Sequence, residues 1–575
     1  MWLCNHRAWI PLGAVLAVAC LAAAVAQDAP EPSSASATET ALQASGQKPA
    51  TNWRVLVNTV TLGVSVAVVG LALGSVLAVV LTRTDLPGRP AAVAVVVFLL
   101  FLPLYLHLAG WEAVFGKLGW FTKLTEEIVA RQELRQGPDD QRIPQPILSG
   151  MRAVIFIHAM AAVPWAALVM SIGLVLVRRE EEEAALLETS GANVIARVVL
   201  PQLAPFLAAA ALLLAITAAG EMTVTNIYLI EPGNYTLAEQ AYMTLQSLPL
   251  DEAAWDLLPS ILVTALLVTG GVLAARLLAP LAGHVTEDRF QPVIYRLGRW
   301  KAPTAIITWL VLALLAGLPL LSMAYKAGTD VISIGGKPAQ TWSALKCLAM
   351  PWSSLWRSAG ELRWTMLIAA AAATLAVVAA IFLAEFSRRG NWKTWPVVLV
   401  VTVAWAVPGP IVGLGIAVLF NQNVFMLGWL YDHTIVPAIV AQSIRAAPVV
   451  LLTVWQAIER FPTGPIEAAQ LDGAGRWTIL IRIVLPQRKG ALLAAWLAGM
   501  AIAAGDLAWS NFVLPAGYDT LQRRMFGDIH TGADDRVAGV CLAVSALYAV
   551  AIVLAALTYH TMSRRSSRNE QKGGV

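Results

Sequence analysis

Two carboxylates occupy matched places in this apolar chain. Glu221 follows Gly220 and Asp506 follows Gly505, an offset of 285 residues (506 − 221). Hydrocarbon penalises charge, so an acid in or at the end of an apolar run is a functional candidate. The chemistry on offer is attraction of a cation or gating of an aqueous mouth. The alternative is that each acid caps the irregular backbone after it. Thr223, Thr225 and Asn226 accompany Glu221, and Ser510 and Asn511 accompany Asp506. Asn58, Thr59 and His158 are further polar residues within apolar runs, and His158 by itself reads as a hydrogen-bonded packing residue. No nucleophile–base pair or metal-ligand cluster stands out, so neither catalysis nor a resident metal is expected.

The same offset relates two polar loops between apolar runs. Ile466 to Pro486 reads IEAAQLDGAGRWTILIRIVLP, and Glu182 to Pro201 reads EEAALLETSGANVIARVVLP. Without a gap, Arg482 falls on Arg197, Leu485 on Leu200 and Pro486 on Pro201. Each loop opens with small apolar residues beside an acid, a pattern suited to lying in a groove on another protein. Each closes on Leu-Pro at the head of a span, where proline costs no hydrogen bond.

The elements that must carry these residues are membrane spans. Of 575 residues, 58% are hydrophobic and 13% charged, about half the charge of a soluble protein. Many apolar runs approach the roughly 20 residues that cross a bilayer. The class is therefore all-α and polytopic. The formal net charge of +4 is small and does not point to nucleic acid. Cys4, Cys20, Cys347 and Cys541 form no C-x-x-C motif. Gly116-Lys117 runs into Leu118 and Gly336-Lys337 into Pro338, so the usual phosphate-cradling loop is missing. Any ATP would be bound by a partner, and no cofactor is expected in this chain.

In chain order, residues 1–26 read as a retained span, with a cleaved secretory signal ending in Ala24-Val25-Ala26 as the competing reading. Residues 27–50 are a Pro- and Ser-rich linker without apolar period. A first domain at 51–285 carries spans near 53–82, 91–110, 151–177, 202–229 and 256–280, with its loop at 178–201. A connecting segment at 286–361 holds one span near 303–323. A second domain at 362–562 carries spans near 364–386, 395–420, 435–457, 489–513 and 536–560, with its loop at 459–486. A basic tail, 563–575, follows. With the Glu467 loop in the cytoplasm, the Arg83–Arg89 turn, Arg178-Arg179, the 289–301 segment, Arg388–Lys393 and the tail all fall inside. That is the positive-inside pattern. The sum is about twelve transmembrane helices in two parallel six-helix repeats, with both termini inside.

The loop residues resemble a known family. Glu467-Ala468-Ala469, Gly473, Ile483 and Leu485-Pro486 match the EAA signature of the inner-membrane permease subunits of ABC importers fed by a binding protein. The resemblance implies that Glu467, Ala468, Ala469 and Gly473 form a coupling helix that seats in an ATPase subunit. Because such ATPases act as two-fold dimers, two loops are needed, and Glu182, Glu183, Ala184, Ala185, Leu200 and Pro201 form the second candidate. This copy departs from the pattern. Aligned from Leu200-Pro201, Glu188 takes the glycine position; aligned on Glu183-Ala184-Ala185, Thr189 does. A differently shaped first coupling helix is expected, with Gly191 as a candidate turn.

Fusion of two permease units resembles the ferric-iron and thiamine importers of this family. The resemblance implies a bacterial inner-membrane transport subunit, a partner ATPase dimer and a periplasmic binding protein. Ferric iron is the first expectation for cargo, with thiamine, a polyamine or an oxyanion as alternatives. A secondary transporter driven by an ion gradient is the rival from another class.

Overall fold

The computed structural model describes residues 53–116, 119–125, 148–177, 179–229, 235–247, 257, 262–263, 265, 269–270, 292–334, 337–388, 394–420, 425–510, 512–531 and 535–553. The expected span at 1–26, the linker, most of the 256–280 span, the basic tail, Arg178 and Asn511 lie outside the described residues.

The chain divides into two compact units. The first comprises Met1–Val96, Trp111–Leu318 and Ala406–Leu414; the second comprises Val97–Gly110, Pro319–Trp405 and Gly415–Val575. Each unit therefore includes a short piece from the opposite half of the sequence. A linear division at 51–285 and 362–562 misses this exchange.

In the first unit, α1 (Trp53–Arg83), α2 (Gly150–Leu176) and α4 (Leu200–Ala219) pack together, with α3 (Arg179–Glu188) between the last two in sequence. Small residues permit the contact: a Cβ on Gly74 would lie 2.4 Å from Ala166 Cβ, and one on Gly63 3.0 Å from Ala215 O. Close approach of this kind replaces the hydrophobic drive that helices lack in lipid. α5 (Gly298–Gly328) leads to an antiparallel hairpin of β1 (Thr329–Ile334) and β2 (Lys337–Trp342), then α6 (Ala344–Arg357).

The second unit repeats the trio with α7 (Ala359–Ser387), α8 (Val436–Glu459) and α10 (Lys489–Ala504), with α9 (Thr463–Leu471) between the last two. Alanines carry this contact: Ala369, Ala372, Ala373, Ala376 and Ala380 are buried along α7. The last described span is α11 (Asp535–Val553).

Among the described residues, seven helices are long and apolar enough to cross a membrane, or up to nine if each of two bent pairs is one span. The expected straight spans at 91–110 and 395–420 are these pairs. Arg89–Phe101 and Leu104–Thr125 meet at 102°, and Trp395–Ala406 and Gly409–Phe420 at 110°. Pro103 and Pro408 stand at the breaks, where a missing N–H and a clashing ring end a helix. Each pair nevertheless returns the chain across the membrane. Arg83 at the end of α1 donates to Leu174 O near the end of α2, so the two spans point the same way. Likewise Ala384 near the end of α7 shares a core cluster with Ile458 and Phe461 at the end of α8.

Two further spans end early. The expected 202–229 helix stops at Ala219, and the expected 489–513 helix stops at Ala504. Glu221 and Asp506 thus lie in irregular backbone beyond the helix ends. Upstream, the helix of α4 begins before Pro201, with a π turn at Ile195–Val199 in which Leu200 N–H donates to Ile195 O. The same turn recurs at Leu480–Val484. Pro201 and Pro486 follow a widened turn inside a helical run and do not open the span, a correction to the expectation from Leu-Pro. The π turn relaxes the register one turn before the proline.

Candidate functional site

The second loop is built like its signature. α9 ends in a Schellman motif: Ala474 N–H donates to Ala469 O and Gly473 N–H to Gln470 O. Gly473 takes φ +78° there, a conformation that costs a side-chain-bearing residue about 1–2 kcal/mol. Ile466, Ala469 and Ala474 pack on the cluster of Ile458, Phe461, Ile479 and Val484. Glu467 and Ala468 face outward, Leu485 is half-buried and Pro486 exposed. Next to the loop, Glu385 near the end of α7 pairs with Arg388 at 3.3 Å and Arg476 at 3.7 Å.

The first loop reaches a similar outline by other means. Its burial pattern matches the second when Glu183-Ala184-Ala185 is laid on Glu467-Ala468-Ala469, with the first two exposed and the third half-buried in both. In this register the helices start together, and α3 runs to Glu188, one residue beyond the match to Leu471. The offset returns to 285 at Gly191, which matches Arg476 at the start of the next short helix. Thr189 and Ser190 make the turn. Gly191 does not take the left-handed φ that Gly473 has. It opens a short helix and lies under the Tyr295 ring, 3.2 Å from where its Cβ would be. The expectation that it is the turn is corrected: α3 runs one residue further than α9, and the chain turns before Gly191.

Glu182 occupies the place of Ile466, and it is the fixed point of the first loop. Its Oε2 accepts from Arg83 Nη1 at 2.6 Å and its Oε1 from the Tyr295 hydroxyl at 2.5 Å. Both charged side chains are buried, at 0% and 2% exposure. Tyr295 belongs to a strap along the base of α1. Its N–H donates to Arg83 O, Leu297 N–H donates to Asp85 Oδ1, and Lys301 pairs with Asp85 at 3.0 Å. The Leu297 N–H and the Lys301 ammonium hold the Asp85 carboxyl below its usual value. Glu182 therefore reaches no groove on another protein; it positions α3. Glu183 lies outside, paired with Arg179 at 2.6 Å.

Leu471, one of the apolar residues beside Glu467 that suit a groove on another protein, has a counterpart in the first loop. Leu187 and Leu471 match in the burial register, and each is 89% exposed. Bare leucines at the tips of two repeat-related helices are the most prominent apolar points of the loops. Sequence position did not mark Leu187, because the first loop departs from the EAA pattern and its register was ambiguous by one residue.

The acids at the opposite ends of α4 and α10 are engaged in local bonds. Glu221 Oε1 accepts from the N–H groups of Met222 and Thr223 and from the Thr223 hydroxyl. Asp506 Oδ2 accepts from Trp509 N–H at 3.1 Å. Both brace the irregular segment after them. The preceding glycines admit the proline bends: a Cβ on Gly505 would meet Pro103 Cγ at 2.8 Å, and one on Gly220 would meet Pro408 Cα at 3.6 Å.

Thr225 and Asn226 converge on a carboxylate the sequence did not single out. Thr225 Oγ1 donates to Glu239 Oε2 at 3.1 Å and Asn226 Nδ2 to Glu239 Oε1 at 2.6 Å. Burial pushes the Glu239 carboxyl up to about 7, against the lowering effect of those two donors. Nearby in sequence, the Tyr228 hydroxyl donates to Glu112. Ser510 is buried. Thr59 proves to be a cap: its Oγ1 accepts from Leu237 N–H at 2.9 Å, heading the helix Leu237–Ser247. Thr365 Oγ1 does the same for Leu521 N–H at the helix Leu521–Thr531. His158 Nδ1 donates within its own helix, to Val154 O at 2.9 Å.

Each compact unit thus carries one such loop, and an acid braces the irregular segment beyond the far end of α4 and of α10. Residues 339–568 match the family of binding-protein-dependent transport system inner membrane components. The match covers 230 of the 575 residues, and over it the chain is similar to membrane-embedded permeases of the ABC importer type. It is similar to the spermidine/putrescine transport system permease protein PotC of Haemophilus influenzae, 27% identical over 194 residues, covering 33% of this chain and 72% of the relative. It is also similar to the putrescine transport system permease protein PotI of Escherichia coli K12, 27% identical over 185 residues, covering 32% and 64%. The molybdenum transport system permease protein ModB of Haemophilus influenzae is 24% identical over 208 residues, covering 34% and 89%.

Proposed function

We propose that this chain forms the transmembrane path of an ATP-driven importer and receives force from a separate ATPase dimer through α3 and α9. The observation that carries this reading is the pair of equally exposed leucines, Leu187 and Leu471, on repeat-related helices. Burying a leucine contributes about 1.5–3 kcal/mol, enough to anchor a small helix in an apolar cleft. ATP-driven closure of the dimer would move both helices and rock one repeat against the other, with cargo delivered by a periplasmic binding protein.

For the cargo we infer a small organic cation of the polyamine kind. The relatives PotC and PotI carry polyamines in their names, and Glu112, Glu221 and Glu239 supply carboxylates in the first half. Ferric iron, the first expectation, draws on the fused architecture and on the Glu221 and Asp506 pair. The ModB similarity favours an oxyanion as the second reading.

The test is reconstitution in proteoliposomes with the cognate ATPase and binding protein, loaded with labelled putrescine and challenged with ferric iron, thiamine or molybdate. ATP-dependent uptake blocked by excess putrescine alone supports the cation reading, and block by molybdate overturns it. Uptake by the chain alone under a proton or sodium gradient would overturn the ATP-driven reading itself.

A further inference from the structure

Helix α6 presents a surface that transport does not explain. Leu345, Leu348, Trp352 and Trp356 recur every three or four residues, so they share one face. All four are at least 70% exposed, and the two indoles stack with centroids 6.5 Å apart. The face carries no charge.

The opposite face is seated firmly. Met350 and Ser354 are buried, and a Cβ on Gly539 of α11 would lie 2.8 Å from Ser354 Oγ. Lys346 pairs with Asp535, the first residue of α11, at 3.1 Å. Ser343 N–H donates to Gly328 O at the end of α5, and Cys347 Sγ to Ala324 O. α7 begins at Ala359, two residues beyond α6. α6 thus lies across the ends of three spans, all on the side away from the Glu467 loop.

We propose that α6 is an interfacial helix whose Leu345–Trp356 stripe is immersed in the headgroup and upper acyl region of the outer leaflet. The occupant is lipid because the stripe is continuous with a lipid-facing flank. Leu314 and Leu321 of α5 and Leu367 of α7 are bare apolar residues on the adjoining spans. Tryptophan is enriched at this level of a bilayer, and a helix with Trp and Leu on one face lies in the interface plane. The helix would then hold three span ends at one depth in the membrane.

The test uses the full chain in nanodiscs of phosphatidylethanolamine and phosphatidylglycerol. With the four native cysteines replaced by serine, a nitroxide is placed at Leu348→Cys, Trp352→Cys or Trp356→Cys, and at Gln470→Cys on the exposed side of α9. Greater relaxation by oxygen than by a water-soluble nickel chelate at the three α6 positions, with the reverse at 470, is the expected result. Strong relaxation by nickel at α6 would overturn the proposal in favour of a water-facing surface. Exclusion of both reagents would overturn it in favour of coverage by a second copy. Hydroxyl-radical footprinting of the unmodified chain gives an independent reading. The peptide bearing Trp352 and Trp356 should be less oxidised than the one bearing Trp477, which is less exposed in the isolated chain; heavier oxidation would sink the idea.

Discussion

The two loop helices, α3 and α9, occupy the same place in their repeats and are held by opposite means. α9 rests on apolar contacts through Ile466 and ends at a left-handed glycine. α3 places Glu182 where Ile466 would be, bonds it to Arg83 and Tyr295, and ends without glycine. The acid–arginine pair near the second loop is reversed in position, with the acid on the span and Arg476 beyond the turn. Apolar packing is non-directional and lets a helix slide, whereas a buried ion pair fixes direction and distance. The first loop is therefore a strut and the second a joint. Equal outer faces, set by Leu187 and Leu471, are carried on unequal mountings.

The sharpest way to break this comparison is Glu182→Ala. Arg83 would be left buried and unpaired, a loss of about 3–5 kcal/mol, read as a large drop in the melting temperature of the purified chain. Glu467→Ala, at an exposed position, should leave that temperature unchanged while lowering ATPase stimulation. The double change Glu182→Ile with Arg83→Leu imitates the second loop and should restore stability, because apolar replacement of a buried pair is often neutral. Failure of that rescue would mean the clamp does more than hold α3.

Next in size, Leu187→Asp and Leu471→Asp should each weaken ATPase copurification roughly ten-fold or more, from the burial that leucine contributes. The chain's own stability should not change, since both side chains are bare in it. A large gap between the two variants would show that one helix bears most of the docking.

A smaller effect is expected at the turn. Gly473→Ala forces a side chain into φ +78°, costing about 1–2 kcal/mol and reducing transport-coupled ATP hydrolysis. Ser190→Ala in the first turn should be nearly silent in the same assay. Of similar size is Tyr295→Phe, which removes one hydrogen bond to Glu182 at a cost of about 1–2 kcal/mol. A denaturation series on the purified chain would detect it, and a loss as large as that of Glu182→Ala would place the strap, not Arg83, at the centre of the clamp.

Much of this was legible before any coordinates. Apolar run length marked the membrane class, and the 285-residue offset marked the repeat and both loops; the π turns at Ile195–Val199 and Leu480–Val484 came only with the backbone. Gly473 was marked as a turn because only glycine takes a left-handed φ cheaply. The bends at Pro103 and Pro408 were present as residues but merged into straight spans, since hydropathy measures apolarity and not direction.

What the sequence alone determined is the set of local and periodic features: the apolar runs, the paired loops and the family signature. These depend on neighbours in the chain and on the bilayer. Tertiary structure alone decided that Glu182 is an internal strut, that Glu239 gathers Thr225 and Asn226, and that each unit takes in a piece of the opposite half. Each of these joins residues far apart in sequence or turns a side chain inward. Whether a carboxylate faces a partner or an arginine 99 positions away is set by packing, and no spacing rule contains it.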